Sequence, residues 1–423
     1  MQFRDMKNFF EPKKIVIIGV SENKKKVGYV LAKKFKNNNY VFFVNNKRKN
    51  ILGKKCYKDL SEINDKIDLI IIAIPPVFVN DILKEAEYNG IKNAIIITAG
   101  VKLELYNNLR ILGPNCFGIV NTMNNFDCTF AKDFPIKGKI DFISQSGALW
   151  SSIASYSLEE NIGFSKFVSL GDMFDIDFND ILEYSIKDKM SSVILLYIEG
   201  LKDGTRLLNL IENSKKPIVV LKGGKTQSGA KATLSHTGSL AGSYDIYKST
   251  IMQFGGYFAE SLFEAIDSAK FLSLQKGLIG KRIVIVTNAG GPGVLLSDIL
   301  EGFGYVIVKL PKNFNLPGRW SKNNPIDIIG DADHLKYEEV LRRLPDDIFD
   351  ILLVVLTPQE MIDEYKVAKI VINYFKRNKK AVICCFMGKK SIDKAAEFLE
   401  KNNIMCFRSI ERICGILKVL KPK

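Results

Sequence analysis

Histidine is nearly absent from this chain: His236 and His334 are the only two in 423 residues. That excludes a histidine-rich metal centre. The seven cysteines (Cys56, Cys116, Cys128, Cys384, Cys385, Cys406 and Cys414) are odd in number and lack metal-ligand spacing. They read as reduced core thiols, so neither a disulfide framework nor a metal site is expected. No apolar run approaches the roughly 18 residues that a membrane span requires. The opening MQFRDMKNFFEPKK lacks the apolar segment of a signal peptide, so a soluble, cytoplasmic protein without a membrane role is expected. The Walker lysine pattern is missing, and no complete GxGxxG is present. Acidic residues are outnumbered, giving a formal net charge of +15. A positive field favours anionic ligands such as phosphates and nucleotides. The lysines are scattered among asparagines and do not interleave with exposed aromatics, so no nucleic-acid partner is expected.

What is present is α/β patterning. With 47% hydrophobic and 25% charged residues, the chain is long enough for several cores. Residues 14–19 (KIVIIG, fully apolar within and β-branched), 40–45, 68–74 and 93–99 are short strand-like runs that each end in a turn. Helical stretches separate them, at 27–37 and 78–89, so a doubly wound parallel sheet is predicted. Ligands of such sheets sit beyond the carboxyl ends of the strands. The candidate contacts are therefore Gly19, Val20 and Ser21 after the first strand, Lys47 after the second, Pro75 after the third, and Asn115 in the GPNC turn. Lys47 offers a point charge for a phosphate.

A second unit begins after a turn-rich connector over 127–139. Residues 139–143 (KIDFI) form a strand, Ser144, Gln145, Ser146 and Gly147 follow at once, and a helix is predicted over 148–160. Strand, SQSG and helix make a phosphate cradle, because the first-turn N–H groups are unpaired and the helix dipole is positive there. Strand 192–198 delivers Glu199 to a carboxyl end, and strand 217–222 follows. Residues 232–242 (ATLSHTGSLAG) surround His236 with small and hydroxylated neighbours and show no aliphatic period. They are predicted to form a loop that approaches a ligand closely. A third unit opens with strand 281–287, then Gly290, Gly291, Pro292 and Gly293, with a helix predicted from 294. This is a second anion-binding helix start. Strands at 305–310, 351–356 and 381–386 continue the alternation, and His334 sits at a solvated helix start.

Together and in this order, KIVIIGVS, LGPNCFGIVNT, FISQSGALW, GFSKFVSLG, ILLYIEGLKDG, LKGGKTQSGAKATLSHTGSLAG, VTNAGGPGVL and NPIDIIGDA resemble the α subunits of ADP-forming acyl-CoA synthetases, relatives of succinyl-CoA synthetase. The resemblance implies three doubly wound domains: a Rossmann-like CoA-binding domain (1–125), a flavodoxin-like ligase domain with the phosphohistidine loop (126–270) and a second flavodoxin-like domain (271–423). It implies interconversion of acyl-CoA, ADP and phosphate with carboxylic acid, ATP and CoA, through an acyl phosphate and a phosphohistidine. His236 maps to the phosphorylated residue and Glu199 to the carboxylate that holds it. The two helix starts map to the phosphate-holding ends. CoA is the implied cofactor. Mg²⁺ with ADP or ATP is implied on an ATP-grasp β subunit, in an α2β2 assembly, because three α/β units leave no room for that module here. Two stretches depart from the family pattern: a short segment at 101–108, and Asp172-Met173-Phe174 after Gly171. Two alternatives stand beside this reading, a succinyl-CoA synthetase-like α subunit and a CoA-binding regulatory protein without turnover.

Overall fold

The computed structural model describes residues 3–237, 242–275, 280–378, 380–388 and 390–421; within these, the side chains of 3–5 and 234–237 are not described. The chain divides into two compact units, 1–258 and 259–423. The first unit holds two sheets and the second holds one.

The first sheet follows α1 (Phe3–Phe10) and contains β1 (Ile15–Ile18), β2 (Val41–Val44), β3 (Asn50–Ile51), β4 (Lys54–Tyr57), β5 (Leu69–Ile72), β6 (Asn93–Ile96) and β7 (Arg110–Leu112), with α2 (Val27–Phe35) and α3 (Val79–Tyr88) between strands. Its order is β3-β4-β2-β1-β5-β6-β7. Every pairing is parallel except the β3–β4 hairpin. All four residues of β5 are fully buried, which explains their unbroken aliphatic run: both faces are covered. Gly28 and Gly19 are a steric necessity. A Cβ on Gly28 would stand 1.9 Å from the Gly19 carbonyl oxygen, so α2 packs backbone-to-backbone on the β1 loop.

The second sheet contains β8 (Ile119–Asn121), β9 (Phe126–Asp127), β10 (Ile136–Ser144), β11 (Gly163–Ser169), β12 (Val193–Ile198), β13 (Ile218–Lys222) and β14 (Tyr257–Ala259) in the order β14-β13-β12-β10-β11-β8-β9. The β13–β12–β10–β11 core is parallel, and β8 and β9 close it antiparallel. Its helices are α4 (Ala148–Glu159), α5 (Phe178–Lys187), α6 (Gly204–Glu212), α7 (Gln227–Thr237) and α8 (Tyr244–Gln253). Trp150 stacks on Phe167 at 4.2 Å between ring centroids and 4° between planes, which fixes the first turn of α4 against the sheet.

The second unit opens with α9 (Leu262–Leu274) and continues through β15 (Arg282–Thr287), α10 (Gly290–Gly302), β16 (Val306–Ile307), β17 (Ile326–Asp327), α11 (His334–Arg343), β18 (Ile351–Leu356), α12 (Glu364–Arg377), β19 (Ala381–Phe386), α13 (Asp393–Lys401), β20 (Met405–Phe407) and α14 (Ile410–Val419). The parallel sheet runs β16-β15-β18-β19-β20, with β17 also on β15. Helix α9 is held to α14 by a bidentate ion pair from Arg412 to the buried Asp267.

Four expectations need correction. The stretch around His236 is not a loop up to that residue: α7 carries it as the penultimate helical position, and 238–241 lie outside the described residues. An apolar stripe is not required there. The Thr226 hydroxyl accepts the Gly229 N–H at the helix start, and the Thr233 hydroxyl donates to the Gly229 carbonyl one turn back. Helix α10 begins at Gly290 and not at 294, so the glycines are its first turn; Pro292 fits there because first-turn N–H groups have no intrahelical acceptor. The strand expected over 305–310 shrinks to Val306–Ile307. Finally, β10 starts at Ile136, inside the expected connector, because Gly138 and Gly163 let the two backbones meet closely. No helix among the described residues is long and apolar enough to cross a membrane.

Candidate functional site

The first sheet gathers its candidate residues along one carboxyl edge. Strands β2, β1 and β5 are neighbours, so the turns at 19–21, 45–47 and 73–75 lie side by side. Hydrogen bonds tie this rim together: Asn45 Nδ2 donates to the Val20 carbonyl at 2.9 Å, Thr98 Oγ1 to the Ile74 carbonyl at 2.8 Å, and the Asn115 N–H to the Thr98 carbonyl at 3.0 Å. Gly19 takes φ +95° and Val20 is buried beneath the loop. The Ser21 hydroxyl accepts the Asn23 N–H. The Lys47 side chain and Pro75 are exposed. Sequence reasoning missed Lys24, Lys25 and Lys26, which are all exposed just before α2, a helix with no acidic residue in its first turn. Their position at a helix N-terminus is the signal that scattered surface lysines do not give by themselves. Asn115 turns its side chain away from this rim: φ is +57°, and Nδ2 donates to Asp172 at 3.1 Å, tying the 113–116 turn to the 171–174 turn.

The second sheet assembles a buried junction between β10 and β12. Ser144 ends β10 and Gln145 follows it, both almost fully buried, and α4 starts three residues after Gln145 with no acidic residue in its first turn. The Ser144 hydroxyl is spent on the Ser146 carbonyl at 2.7 Å. Gln145 crosses to the neighbouring strand end, where its Oε1 accepts the N–H groups of Glu199 at 2.8 Å and Gly200 at 3.0 Å. The loop after β10 and Glu199 are therefore brought together.

Glu199 is buried and flanked by two groups that spacing along the chain does not single out. The Tyr197 phenol hydrogen-bonds its carboxylate; burial, together with that negative charge, pushes the phenol up to about 12. Lys222, at the end of β13, donates to the Glu199 carbonyl at 2.9 Å and also to the Gly223 carbonyl. Burial lowers the Lys222 ammonium and the Glu199 charge partly restores it. The Tyr247 ring on α8 lies 5.0 Å from Lys222 Nζ, a cation–π contact. Gly223 packs closely on this pair: a Cβ there would stand 2.9 Å from the Tyr197 hydroxyl and would press on it. Helix α7, which carries His236, begins four residues after Gly223. The His236 side chain is outside the described residues.

The second unit carries the other helix start. Gly290, Gly291 and Gly293 lie in the first turn of α10, again without an acidic residue. Behind it, the fully buried Asn288 pairs with both the N–H and the carbonyl of Thr357, locking the ends of β15 and β18 together. His334 is the first residue of α11, capped by Asp333. All seven cysteines are free and buried; burial pushes Cys116, beside the 113–116 turn, up to about 12, so it stays a thiol.

Three family models cover most of the chain in succession: a CoA binding domain over 13–122, a succinyl-CoA ligase-like flavodoxin domain over 137–272 and a ligase-CoA domain over 283–419. The α subunit of ADP-forming acetate–CoA ligase II from Pyrococcus furiosus is 37% identical, over 96% of this chain and 95% of its own length. The chain belongs to the ADP-forming acetate–CoA ligase family. Another member of the family, ADP-forming acetate–CoA ligase I of Archaeoglobus fulgidus, is also 37% identical over 98% of this chain, which spans only 63% of that longer protein. Among solved structures, the dinucleotide-forming acetyl-coenzyme A synthetase 1 of Ca. Korarchaeum cryptofilum, in complex with phosphate and ADP, superposes with a TM-score of 0.88 at 32% identity, over 98% of this chain and 96% of that one. The three parallel-dominated sheets are thus the Rossmann-like CoA-binding fold and two flavodoxin-like folds of the acetate–CoA ligase family.

Proposed function

We propose that this chain is the α subunit of an ADP-forming acetate–CoA ligase, and that it performs acyl transfer and carries the phosphoryl group on His236. The junction that joins the 144–147 loop to Glu199 through Gln145 is the observation that carries this reading. It combines a desolvated carboxylate with a helix start rich in unpaired N–H groups, on the sheet from which α7 departs.

In the proposed cycle, CoA lies along the rim formed by Gly19, Val20, Ser21, Lys47 and Pro75, with Lys24–26 facing its phosphates; Asn115 flanks the acyl end. A phosphate oxygen attacks the thioester carbonyl, the carbon–sulfur bond breaks, and CoA leaves as the thiol. The neutral His236 imidazole then attacks the phosphorus of the acyl phosphate and releases the carboxylate. Glu199 hydrogen-bonds the other ring nitrogen, fixing its tautomer and stabilising the cationic phosphoimidazole. The N–H groups after Ser144, Gln145, Ser146 and Gly147 offset the phosphoryl charge, and the α10 start with Gly290, Gly291 and Gly293 supplies a second anion-favouring helix end. ADP finally takes the phosphoryl group as ATP. That last step is assigned to a separate ATP-grasp β subunit, with Mg²⁺ bound to its nucleotide, in an α2β2 assembly. A cytoplasmic location accompanies this proposal.

Incubating the purified chain with acetyl-CoA and labelled phosphate is expected to give an acid-labile phosphoprotein. Label that persists in His236→Ala would overturn the site assignment. ATP formed from ADP by the chain alone would overturn the separate-subunit reading.

A further inference from the structure

We propose that the side-chain amide of Gln145 is the phosphate-reading donor of this site: Nε2 hydrogen-bonds an oxygen of a phosphate group brought to the carboxyl edge between β10 and β12. The inference rests on the reading that this edge handles phosphate, and it assigns the recognition to a side chain that a backbone cradle does not require.

The orientation of the carboxamide is fixed by its partners. Two backbone N–H groups, of Glu199 and Gly200, point at the same side-chain atom at 2.8 and 3.0 Å. Only the oxygen accepts, so the NH₂ group must occupy the other position. Gln145 is 4% exposed, and its Nε2 is buried without a hydrogen-bond partner among the described residues. The backbone N–H of Gln145 is taken by the Tyr197 carbonyl at 3.2 Å, so the side-chain amide is the donor group of this residue left without a partner among the described residues. A buried amide donor left unpaired is costly, and folded proteins keep few of them. Beside it stands the start of α4, a twelve-residue helix whose first turn lacks both an acidic residue and a side-chain cap. One ligand class satisfies both needs. A phosphate oxygen has spare lone pairs for Nε2 and negative charge for the helix end. Inorganic phosphate and the phosphoryl group on an imidazole share that chemistry.

Gln145→Glu isolates the donor. It keeps an oxygen for the two backbone N–H groups and replaces NH₂ with a second carboxylate oxygen. In the assembled enzyme at pH 8, the KM for phosphate is expected to rise about tenfold or more, while the KM for acetyl-CoA stays within about twofold. Lowering the pH toward 5 protonates the new carboxyl, restores an O–H donor and narrows the gap; a purely structural defect would not recover in this way. The lifetime of labelled phosphohistidine after phosphate removal separates the two sources. Shortening places Nε2 on the bound phosphoryl group, and an unchanged lifetime with a raised KM places it on inorganic phosphate. Wild-type protein that takes no label sinks the proposed function. Wild-type protein that labels normally, with a variant unchanged in phosphate KM and pH profile, sinks this inference alone. If Gln145→Glu does not fold, the wild-type chain still decides. It has six glutamines, so ¹⁵N-glutamine labelling gives few side-chain amide signals. The Gln145 amide must shift either on titration with inorganic phosphate or on phosphorylation of the chain with acetyl-CoA and phosphate, and a signal unmoved in both states overturns the inference.

Discussion

Gly28→Ala tests whether the backbone contact between α2 and the β1 loop is what shapes the rim proposed to bind CoA. The added Cβ would stand 1.9 Å from the Gly19 carbonyl oxygen, 2.9 Å from its carbonyl carbon and 3.3 Å from Val20 Cα. Even a close carbon–oxygen contact is about 3.3 Å, so the helix start must retreat by more than ~1 Å. Gly19 is itself packed closely on the turn after β5, where a Cβ would lie 2.3 Å from the Ala73 carbonyl oxygen, so the loop has little room to move away. Overpacking of this kind costs about 1–3 kcal/mol, and alanine in a first helical turn returns up to about 1 kcal/mol. A net loss of about 2 kcal/mol corresponds to a Tm drop of roughly 4–8 °C for a unit of this size. The retreat also carries the first-turn N–H groups and Lys24–26 away from the rim, so the Kd for CoA is expected to rise about tenfold. Thermal denaturation and calorimetric titration with CoA read the two effects. Gly204→Ala is the control: it also opens a helix, a Cβ there meets nothing within 4 Å, and it should be neutral or mildly stabilising. A Gly28→Ala protein with wild-type Tm and wild-type CoA affinity would refute the reasoning.

Glu199→Gln should leave the CoA Kd unchanged while shortening the lifetime of the labelled phosphohistidine, since the carboxylate is buried on the second sheet; an unaltered decay would remove Glu199 from the cycle. Arg412→Ala removes the bidentate partner of the buried Asp267 carboxylate and should cost about 3–5 kcal/mol in urea unfolding, with Arg412→Lys recovering part of it. Hydrogen bonding from Arg282 holds the Asp350 carboxyl below its ordinary value. Its stabilisation is therefore present above the unfolded carboxylate pKa of about 4 and is lost as the pH falls through the lower folded value. The stability gap between wild type and Asp350→Asn should be constant from pH 8 to 5 and close below about pH 4; a gap that persists there would show that the charge of Asp350 is not what stabilises.

Much of the α/β alternation was legible because strands such as β5, β12 and β18 are covered on both faces, and their composition alone separates them from the helices between. The short or polar elements were not legible. The two- and four-residue strands of the β3–β4 hairpin are too short to show a period, and α7 carries mostly small, hydroxylated and charged residues with Leu234 its one large aliphatic residue. Glu199 stood out because a carboxylate directly follows an apolar strand. Tyr197 and Lys222 did not, because each reads as part of its own strand; only strand pairing shows that they converge on Glu199.

The sequence by itself determined the order of strands and turns, the chemical types at each carboxyl end, and the family to which those motifs point, because these are local properties of consecutive residues. Tertiary structure alone decided which turns become neighbours, through the β2-β1-β5 and β13-β12-β10 orders. It also decided how shared polar atoms are spent. Ser144, a hydroxyl free on paper, closes on its own loop, whereas Gln145, an unremarked amide, bridges two strand ends and keeps one donor unpaired among the described residues. The physical reason is that hydrogen-bond valence is settled only when all the neighbours are in place, and no spacing along the chain encodes which neighbour claims a lone pair first.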